Sequence, residues 1–307
     1  MKNSLAGSPW LFSDGLAAVL IKNKWGYIDR QGHVAIAPQY TAASGFSEGL
    51  AAVEVNNKYG FIDRYGKMVI KPQYDFALAF TEGVAACSIG DGFHIIDRNG
   101  RVLAELGEDC TDVENFSCGL AAAEFIVGDG DWRYGAIDRT GKLVIKPKFS
   151  FAYTFEEDLM PVVVNDGDKW GFVNKEGIFA IAPEFDETES FSEGLAPAMK
   201  DGKWRFINHE GHDVVMLGER FDHVDTLIEG RSIVKIGDKS GAIDKAGNLI
   251  IDVRFDNLNS FSEGLAYARI GDTHGFINPS GIFEIQKPVT KATLIDKLMK
   301  RGNWIRW

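Results

Sequence analysis

The sequence predicts an all-β fold: a tandem repeat of eight three-stranded antiparallel units, followed by a short helix. A glycine that ends the phrase Phe-Ser-Glu-Gly, or a relative of it, recurs at intervals of 34 to 39 residues, with one aspartate replacing it. A second glycine recurs in the same phase. Between these markers lie short apolar runs bounded by turn residues, a pattern typical of β-strands.

The two marker series define the eight units. The first series is Gly15, Gly49, Gly83, Gly119, Asp158, Gly194, Gly230 and Gly264. The second series is Gly32, Gly66, Gly100, Gly141, Gly177, Gly211, Gly247 and Gly281. A unit this small cannot bury its apolar face alone, so we expect stacking on neighbouring units to complete the core.

The second unit illustrates the three predicted strands, residues 50–55, 59–63 and 67–71. Asp63 and Gly66 enclose the link between the last two strands. An Asp that opens a turn and a Gly that closes it predict a type I turn followed by a left-handed residue. Pro72 lacks an N–H group and is predicted to end the third strand.

The repeat pattern is compatible with two arrangements of the units, an open superhelical array or a closed propeller-like ring. Residues 289–301 carry apolar side chains at helical spacing, with Lys300, Arg301 and Gly302 as stop signals. We interpret them as a helix that caps an exposed end. Because no displaced strand is visible that could close a ring, the open array is favoured. The expected organisation is a lead over residues 1–9, repeats over 10–287, and a capping helix with a basic, Trp-containing tail over 288–307.

The second strand of several units carries a recurring Lys-aromatic-Gly motif. It reads Lys24-Trp25-Gly26, Lys58-Tyr59-Gly60 and Lys169-Trp170-Gly171. Together with the turn glycine and the strand-ending proline, this motif resembles the WG-repeat family, also called KWG repeats. The resemblance implies a β-rich interaction module of a kind found in bacterial proteins, without shared catalytic residues. The motif is altered in four units, as Phe93-His94, Trp204-Arg205, Ser240-Gly241 and His274-Gly275.

Charge and composition exclude several function classes. The net charge of −11 argues against a nucleic-acid partner, which would require a basic surface. No apolar run is long enough to span a bilayer, and the N-terminus lacks a signal-peptide core, so no membrane association and a cytoplasmic location are expected. Cys87, Cys110 and Cys118 show neither disulfide nor zinc spacing.

The sequence offers few candidates for chemistry. His209 and His212 fall in phase with the turn of the repeat, which favours a structural role over a metal site. The acidic loops around Asp129 and Asp168 lack the spacing of a calcium-binding loop. No nucleophile elbow or phosphate-binding loop is present, and the only Cys-His pairing worth testing is Cys87 with His94. We therefore predict a non-enzyme without metal or cofactor.

The leading functional prediction is a protein-binding scaffold, monomeric by itself, whose acidic connections meet a basic partner. An immunity protein that neutralises a basic toxin would fit this description. The candidate partner-binding residues are Asp109, Asp112, Glu114, Asp129, Asp131, Glu156, Glu157, Asp158, Asp186, Glu187, Glu189, Asp222 and Asp225.

The alternative is a carbohydrate- or cell-wall-binding protein that stacks sugars on exposed aromatic side chains. The candidate platforms are Trp25, Tyr59, Trp132, Tyr134, Trp170 and Trp204.

Overall fold

Eight four-stranded antiparallel blades form a closed ring, an eight-bladed β-propeller, in the computed structural model, which describes residues 10–90, 92–165 and 167–288. The prediction of three-stranded units was wrong, because seven blades have a further strand and blade 2 has a single β-bridge in its place. The described residues contain no helix, and the helix predicted over 289–301 lies outside them.

The strands follow the chain without interruption from blade to blade. Blade 1 contains β1 (Phe12–Ser13), β2 (Leu16–Ile21), β3 (Lys24–Asp29) and β4 (Val34–Tyr40). Blade 2 contains β5 (Leu50–Val55), β6 (Lys58–Asp63) and β7 (Met68–Tyr74). Blade 3 contains β8 (Phe76–Ala77), β9 (Val84–Ile89), β10 (Gly92–Asp97) and β11 (Val102–Glu105). Blade 4 contains β12 (Cys110–Val113), β13 (Leu120–Val127), β14 (Asp131–Asp138) and β15 (Leu143–Phe149).

The second half of the ring repeats this order. Blade 5 contains β16 (Phe151–Ala152), β17 (Met160–Val163), β18 (Trp170–Val173) and β19 (Phe179–Phe185). Blade 6 contains β20 (Glu187–Thr188), β21 (Ala196–Lys200), β22 (Lys203–Ile207) and β23 (Asp213–Gly218). Blade 7 contains β24 (His223–Val224), β25 (Arg231–Ile236), β26 (Lys239–Asp244) and β27 (Leu249–Phe255). Blade 8 contains β28 (Asn257–Leu258), β29 (Ala266–Ile270), β30 (Thr273–Ile277) and β31 (Phe283–Pro288).

The strand absent from the prediction is the short first strand of each blade, which we call the inner strand. It pairs with the second strand, as when Phe76 pairs with Ser88. In blade 2 a single bridge between Ala43 and Val53 takes its place. The two residues of most inner strands, and the four of β12, are too few to show clearly the alternation that reveals a strand in a sequence.

Burial shows which edge of a blade faces the axis of the ring. In blade 3, Ala77 of the inner strand is buried, whereas Val102, in the strand at the opposite edge of the same blade, is 42% exposed. An edge surrounded by the other blades loses solvent contact, and an edge on the rim retains it. The inner strands therefore line the centre, and the last strand of each blade forms the rim.

The phrase Phe-Ser-Glu-Gly forms the hairpin between the inner strand and the second strand. In blade 2, Ser47 and Leu50 exchange both backbone hydrogen bonds, at 2.9 and 3.1 Å. Glu48 and Gly49 between them have φ angles of +52° and +77°. Two positive φ values in a two-residue loop define a type I′ turn, which suits the twist of a β-hairpin.

The glycine of the WG motif has a steric cause. A β-carbon on Gly60 would lie 2.5 Å from the carbonyl oxygen of Ile70. The register of β6 and β7 shifts between Tyr59 and Phe61, and the rim strand passes close to the backbone there. Where the motif has lost its glycine the pairing changes, so that His94 pairs with Glu105 and Arg205 with Met216.

The apolar core lies between blades. Each of eight clusters of buried side chains combines residues of two neighbouring blades. The cluster that joins blades 8 and 1 brings Phe12 within 4.8 Å of Phe276, measured between ring centroids. The preference for an open array was wrong, because the last junction uses the same contacts as the others and needs no borrowed strand. A closed ring leaves no open end to cap.

Candidate functional site

Two positions, one in the inner strand or its blade 2 equivalent and one directly after it, distinguish the blades from one another. They lie four and two residues before the first, apolar residue of the Phe-Ser-Glu-Gly phrase or its equivalent, and we call them the wall positions. In blades 2 to 8 they are Ala42 and Ser44, Phe76 and Leu78, Asp112 and Glu114, Phe151 and Tyr153, Glu187 and Glu189, His223 and Asp225, and Asn257 and Asn259. Carboxylates thus concentrate in blades 4, 6 and 7, and small or apolar residues in blades 2 and 3.

The wall positions of blades 6 and 7 form one cluster, which we call the His223 cluster: Glu187, Glu189, His223 and Asp225. Nε2 of His223 lies 2.9 Å from Oδ1 of Asp225 and 3.8 Å from Oε1 of Glu189. On the other side of the ring, Nδ1 lies 3.5 Å from Oε1 of Glu187. The imidazole therefore lies between three carboxylates from two blades.

Burial and charge shift the protonation equilibria of this cluster. Burial alone would lower the pKa of His223, but the hydrogen bonds to Asp225 and Glu187 outweigh it and raise the pKa to about 9. Glu189 is only 3% exposed. Its burial, followed by the charge of Asp225, raises its pKa to about 8 against the opposing charge of His223. In the absence of another cation, a proton on His223 balances part of the negative charge.

Two aromatic side chains, Trp204 and Tyr153, lie near the cluster. Trp204 is 1% exposed and its ring stands perpendicular to the imidazole of His223, with centroids 5.7 Å apart. Its indole Nε1 has no hydrogen-bond partner among the described residues. Burial, and then the charges of Glu189 and Glu187, raise the pKa of the Tyr153 hydroxyl, which therefore stays protonated.

This arrangement can hold a cation. One oxygen of Glu189, one of Asp225 and one nitrogen of His223 lie within 4.8 Å of one another, a spacing that suits three ligands of one metal ion. The same groups can instead share protons, as the raised pKa values of His223 and Glu189 indicate.

Of the predicted partner-binding residues, the structure brings together Glu187, Glu189 and Asp225. Asp112 and Glu114 occupy the same wall positions in blade 4. His223 is not among the residues predicted from the sequence, because the hairpin glycines that define the units assign no strand to residues 223–224. An alignment of the short connections alone would have shown that a histidine stands where other units carry alanine, phenylalanine, aspartate, glutamate or asparagine.

Asp186 and Asp222 have a structural role instead. Oδ2 of Asp222 accepts a hydrogen bond from the backbone N–H of Gly237 at 2.6 Å. Asp186 accepts one from Gly202 and pairs with Lys169. These contacts tie the start of the inner strand to the following hairpin.

Glu156, Glu157 and Asp158 lie at the junction between blades rather than on the wall. Glu157 accepts a hydrogen bond from the N–H of Gly194 at 3.1 Å and pairs with His209 at 2.9 Å. Asp158 pairs with Lys175 at 2.5 Å. Burial raises the pKa of Glu156, whose carboxylate lies 3.4 Å from the Ser117 hydroxyl.

The remaining candidates are exposed and separate from the cluster. Asp129 and Asp131 lie at the hairpin tip between β13 and β14, and Asp109 is an exposed residue before β12. Trp132, at the same tip, is 61% exposed, whereas Tyr134 and Trp204 are buried. The carbohydrate alternative thus retains one exposed platform, Trp132, and Trp25, Tyr59 and Trp170 are half-buried.

The Cys87 and His94 pair is not poised for nucleophilic chemistry. The two residues face each other across β9 and β10. Burial raises the pKa of the Cys87 thiol well above its ordinary value, so the thiolate required of a nucleophile is disfavoured. In residues 10–288, as far as the structure describes them, no helix is long and apolar enough to cross a membrane.

Solved structures with this architecture include proteins of different kinds. A eukaryotic initiation factor superposes with a TM-score of 0.59 at 11% identity, covering 92% of this chain and 90% of that one. Kluyvelomyces marxianus Hsv2 superposes with a TM-score of 0.50 at 10% identity, covering 75% of this chain and 89% of the other. At such identities the likeness shows the fold alone. No curated protein shows significant sequence similarity to the chain.

The WG motif is the feature that connects this sequence to a family. The family described as "WG containing repeat" matches residues 25–59, 59–91, 134–167, 170–204 and 241–273. These segments together make up more than half of the chain, and each begins at or within one residue of the WG-motif position of a blade. The chain therefore belongs to the WG-repeat family.

Proposed function

We propose that this protein is a non-catalytic binding scaffold for a basic protein partner. The observation that carries the proposal is the uneven distribution of charge on the inner strands. The acidic wall consists of Asp112, Glu114, Glu187, Glu189 and Asp225. The equivalent positions of blades 2 and 3 carry no charged side chain.

The acidic wall suits an inserted basic segment better than a flat basic surface. Asp112, Glu187 and Asp225 are half-buried, so their carboxylates remain within reach of solvent. Cationic side chains that enter the ring would meet these carboxylates in surroundings less screened than the outer surface. Because the inner strands belong to a closed ring, the wall is held rigidly and loses little entropy on binding.

A narrower form of the proposal is an immunity protein that neutralises a basic toxin in the cytoplasm. It rests on the acidic wall and on the net charge of −11. A toxin with a basic segment at its active site would be inactivated if that segment were held against the acidic wall.

Affinity capture with matched variants tests the proposal. The bait is the whole chain, either unchanged or with Asp112→Asn and Glu187→Gln, and the control carries Asp129→Asn and Asp131→Asn at the exposed hairpin tip. We expect a basic protein from the host lysate to bind the unchanged chain and the control, and to be lost from the wall variant. The binding should weaken with added salt. A partner retained equally by all three baits, or none at low salt, would contradict the proposal.

Co-expression of this protein with a candidate toxin tests the proposal that it is an immunity protein. A genomic neighbour that is toxic by itself should be neutralised by the unchanged chain and by the hairpin-tip control. The wall variant should fail to protect the cells.

A further inference from the structure

We propose that Glu189, His223 and Asp225 bind one divalent transition-metal ion between blades 6 and 7. The three ligand atoms lie within 4.8 Å of one another. Ligand atoms about 2.0–2.2 Å from a common centre stand roughly 3.3–3.6 Å apart in a tetrahedral site, so shifts of about 1 Å would bring these three around one ion. No partner protein is required for this site, so it stands or falls independently of the binding function proposed above.

The geometry gives Nε2 of His223 the ligand role. This nitrogen faces Oδ1 of Asp225 at 2.9 Å and Oε1 of Glu189 at 3.8 Å, whereas Nδ1 points to the opposite side. A metal ion that replaces the proton between Nε2 and Asp225 would be coordinated by one neutral imidazole and two carboxylates. Three protein ligands of this kind leave at least one coordination position open to water or to another molecule.

Glu187 is the positioning residue. Its Oε1 lies 3.5 Å from Nδ1 of His223, on the side of the ring remote from Glu189 and Asp225. A carboxylate that accepts a hydrogen bond from the second imidazole nitrogen fixes the tautomer and increases the basicity of the ligating nitrogen. Glu187 and Glu189 occupy consecutive wall positions of blade 6, so a single inner strand supplies both a ligand and the support for another ligand.

The donor set selects the class of metal. An imidazole disfavours magnesium and calcium, which take oxygen ligands. A nitrogen and two carboxylate oxygens suit zinc, cobalt(II) or manganese(II).

The buried indole of Trp204 is a second, separate observation. Its Nε1 is a donor without an acceptor among the described residues, and the ring lies against His223. A buried donor left without a partner costs roughly 1–3 kcal/mol. A water molecule or anion that completes the coordination of the metal would supply an acceptor beside this ring.

The cluster also differs from the ion pairs that the repeat produces. Lys58 with Asp75 and Lys239 with Asp256 are exposed pairs at equivalent places in the repeat, each spanning 17 residues. Among the described residues, a cluster of this kind occurs at one junction, and Glu189 within it is 3% exposed. Repeat geometry alone therefore does not account for it.

Titration of the whole chain with zinc or cobalt(II) tests the inference. We expect one ion per chain by calorimetry, and a visible d–d absorption band when cobalt(II) is the probe. His223→Gln, Glu189→Gln and Asp225→Asn should each weaken the binding by at least about tenfold, and Glu187→Gln by about tenfold.

The matched control is His209→Gln. His209 also pairs with a carboxylate, that of Glu157 at 2.9 Å, but this pair lies at a blade junction outside the cluster. Binding that is lost in His209→Gln and retained in His223→Gln would overturn the inference, as would the absence of any stoichiometric binding to the unchanged chain.

A thermal measurement remains decisive if a variant fails to fold. Zinc should raise the melting temperature of the unchanged chain and a chelator should reverse the increase, since an ion that binds only the native state stabilises it. The same zinc addition should raise the melting temperature of any folded cluster variant by less than that of the unchanged chain. No zinc-dependent shift in the unchanged chain would contradict the proposed site.

Discussion

Glu263 of the last blade accepts a hydrogen bond from the backbone N–H of Gly15 in the first blade, at 3.1 Å. Arg30 lies 3.9 Å from the same carboxylate. This contact completes a series that runs around the ring. At each junction, a side chain in the two-residue loop between the first and second strands of one blade accepts a hydrogen bond from a backbone N–H in the equivalent loop of the next blade. The eight junctions pair Asp14 with Gly49, Glu48 with Gly83, Glu82 with Gly119, Cys118 with Asp158, Glu157 with Gly194, Glu193 with Gly230, Glu229 with Gly264, and Glu263 with Gly15.

The contact at the closing junction provides a test of ring closure. We expect Glu263→Ala to reduce the free energy of unfolding by about 1 kcal/mol, because a charge-assisted hydrogen bond on a partly exposed side chain is lost. Glu48→Ala removes the equivalent contact inside the array, 3.1 Å from Gly83, and should cost a similar amount. Urea unfolding measures both values.

The comparison distinguishes a ring from an open array. In an open array Glu263 would have no neighbour, so its replacement would cost nothing while the replacement of Glu48 remained costly. Glu263→Gln retains a hydrogen-bond acceptor, so its free energy of unfolding should lie between those of the unchanged chain and of Glu263→Ala.

The WG glycine should be intolerant of a single methyl group. Gly60→Ala would place a β-carbon 2.5 Å from the carbonyl oxygen of Ile70, so β6 and β7 must separate. We expect a loss of about 1–3 kcal/mol, the range for forced overpacking. Gly107→Ala is the control, since nothing lies within 4 Å of its added carbon. Equal melting temperatures of the two variants would refute the steric explanation.

The hairpin aspartates should contribute a pH-dependent part of the stability. Oδ1 of Asp97 accepts the N–H groups of Arg101 and Asn99, both at 2.9 Å. These hydrogen bonds, that of Arg101 first, lower the pKa of Asp97 from 3.8. A lowered pKa in the folded state stabilises the fold above the unfolded pKa, and this contribution disappears as pH falls through the folded value.

Denaturant unfolding of Asp97→Ala at a pH of about 7 and of about 3 measures this contribution. The loss of stability relative to the unchanged chain should be smaller at the lower pH. Asp97→Asn should largely retain the stability without this pH dependence, because Asn174 accepts two backbone N–H groups at the equivalent place in blade 5. A loss in Asp97→Ala that is equal at both pH values would count against a role of the charge.

One junction departs from the series and should be the easiest to improve. There, the thiol of Cys118 accepts the N–H of Asp158 at 3.4 Å, and Asp158 has a φ of +68°. We expect the double variant Cys118→Glu, Asp158→Gly to gain about 1 kcal/mol, since a carboxylate is the stronger acceptor and glycine accommodates the positive φ. The midpoint of urea unfolding checks this; a lower midpoint would show that the pair of Asp158 with Lys175 matters more.

Local turn chemistry was predictable from the sequence. The backbone hydrogen bond from Gly66 to Asp63, at 2.9 Å, and the φ of +79° at Gly66 confirm the turn predicted between the second and third predicted strands. The constraint is local, because the turn must reverse the chain within a few residues whatever the rest of the fold does. The inner strand could not be recognised in the same way, since its two residues form a strand only by pairing with the next hairpin.

By itself the sequence determined the number of units, their turns and their family, because glycines and aspartates enforce local backbone geometry once in every repeat. Only the tertiary structure decided that the array closes. The angle between neighbouring blades results from many packing contacts, so no single sequence motif specifies it. The tertiary structure also decided which acidic residues stabilise the scaffold through hydrogen bonds, such as Asp222, and which lie close together at the wall positions. His223 and Glu189 are 34 residues apart and carry no joint motif. They come together because successive blades place equivalent positions side by side.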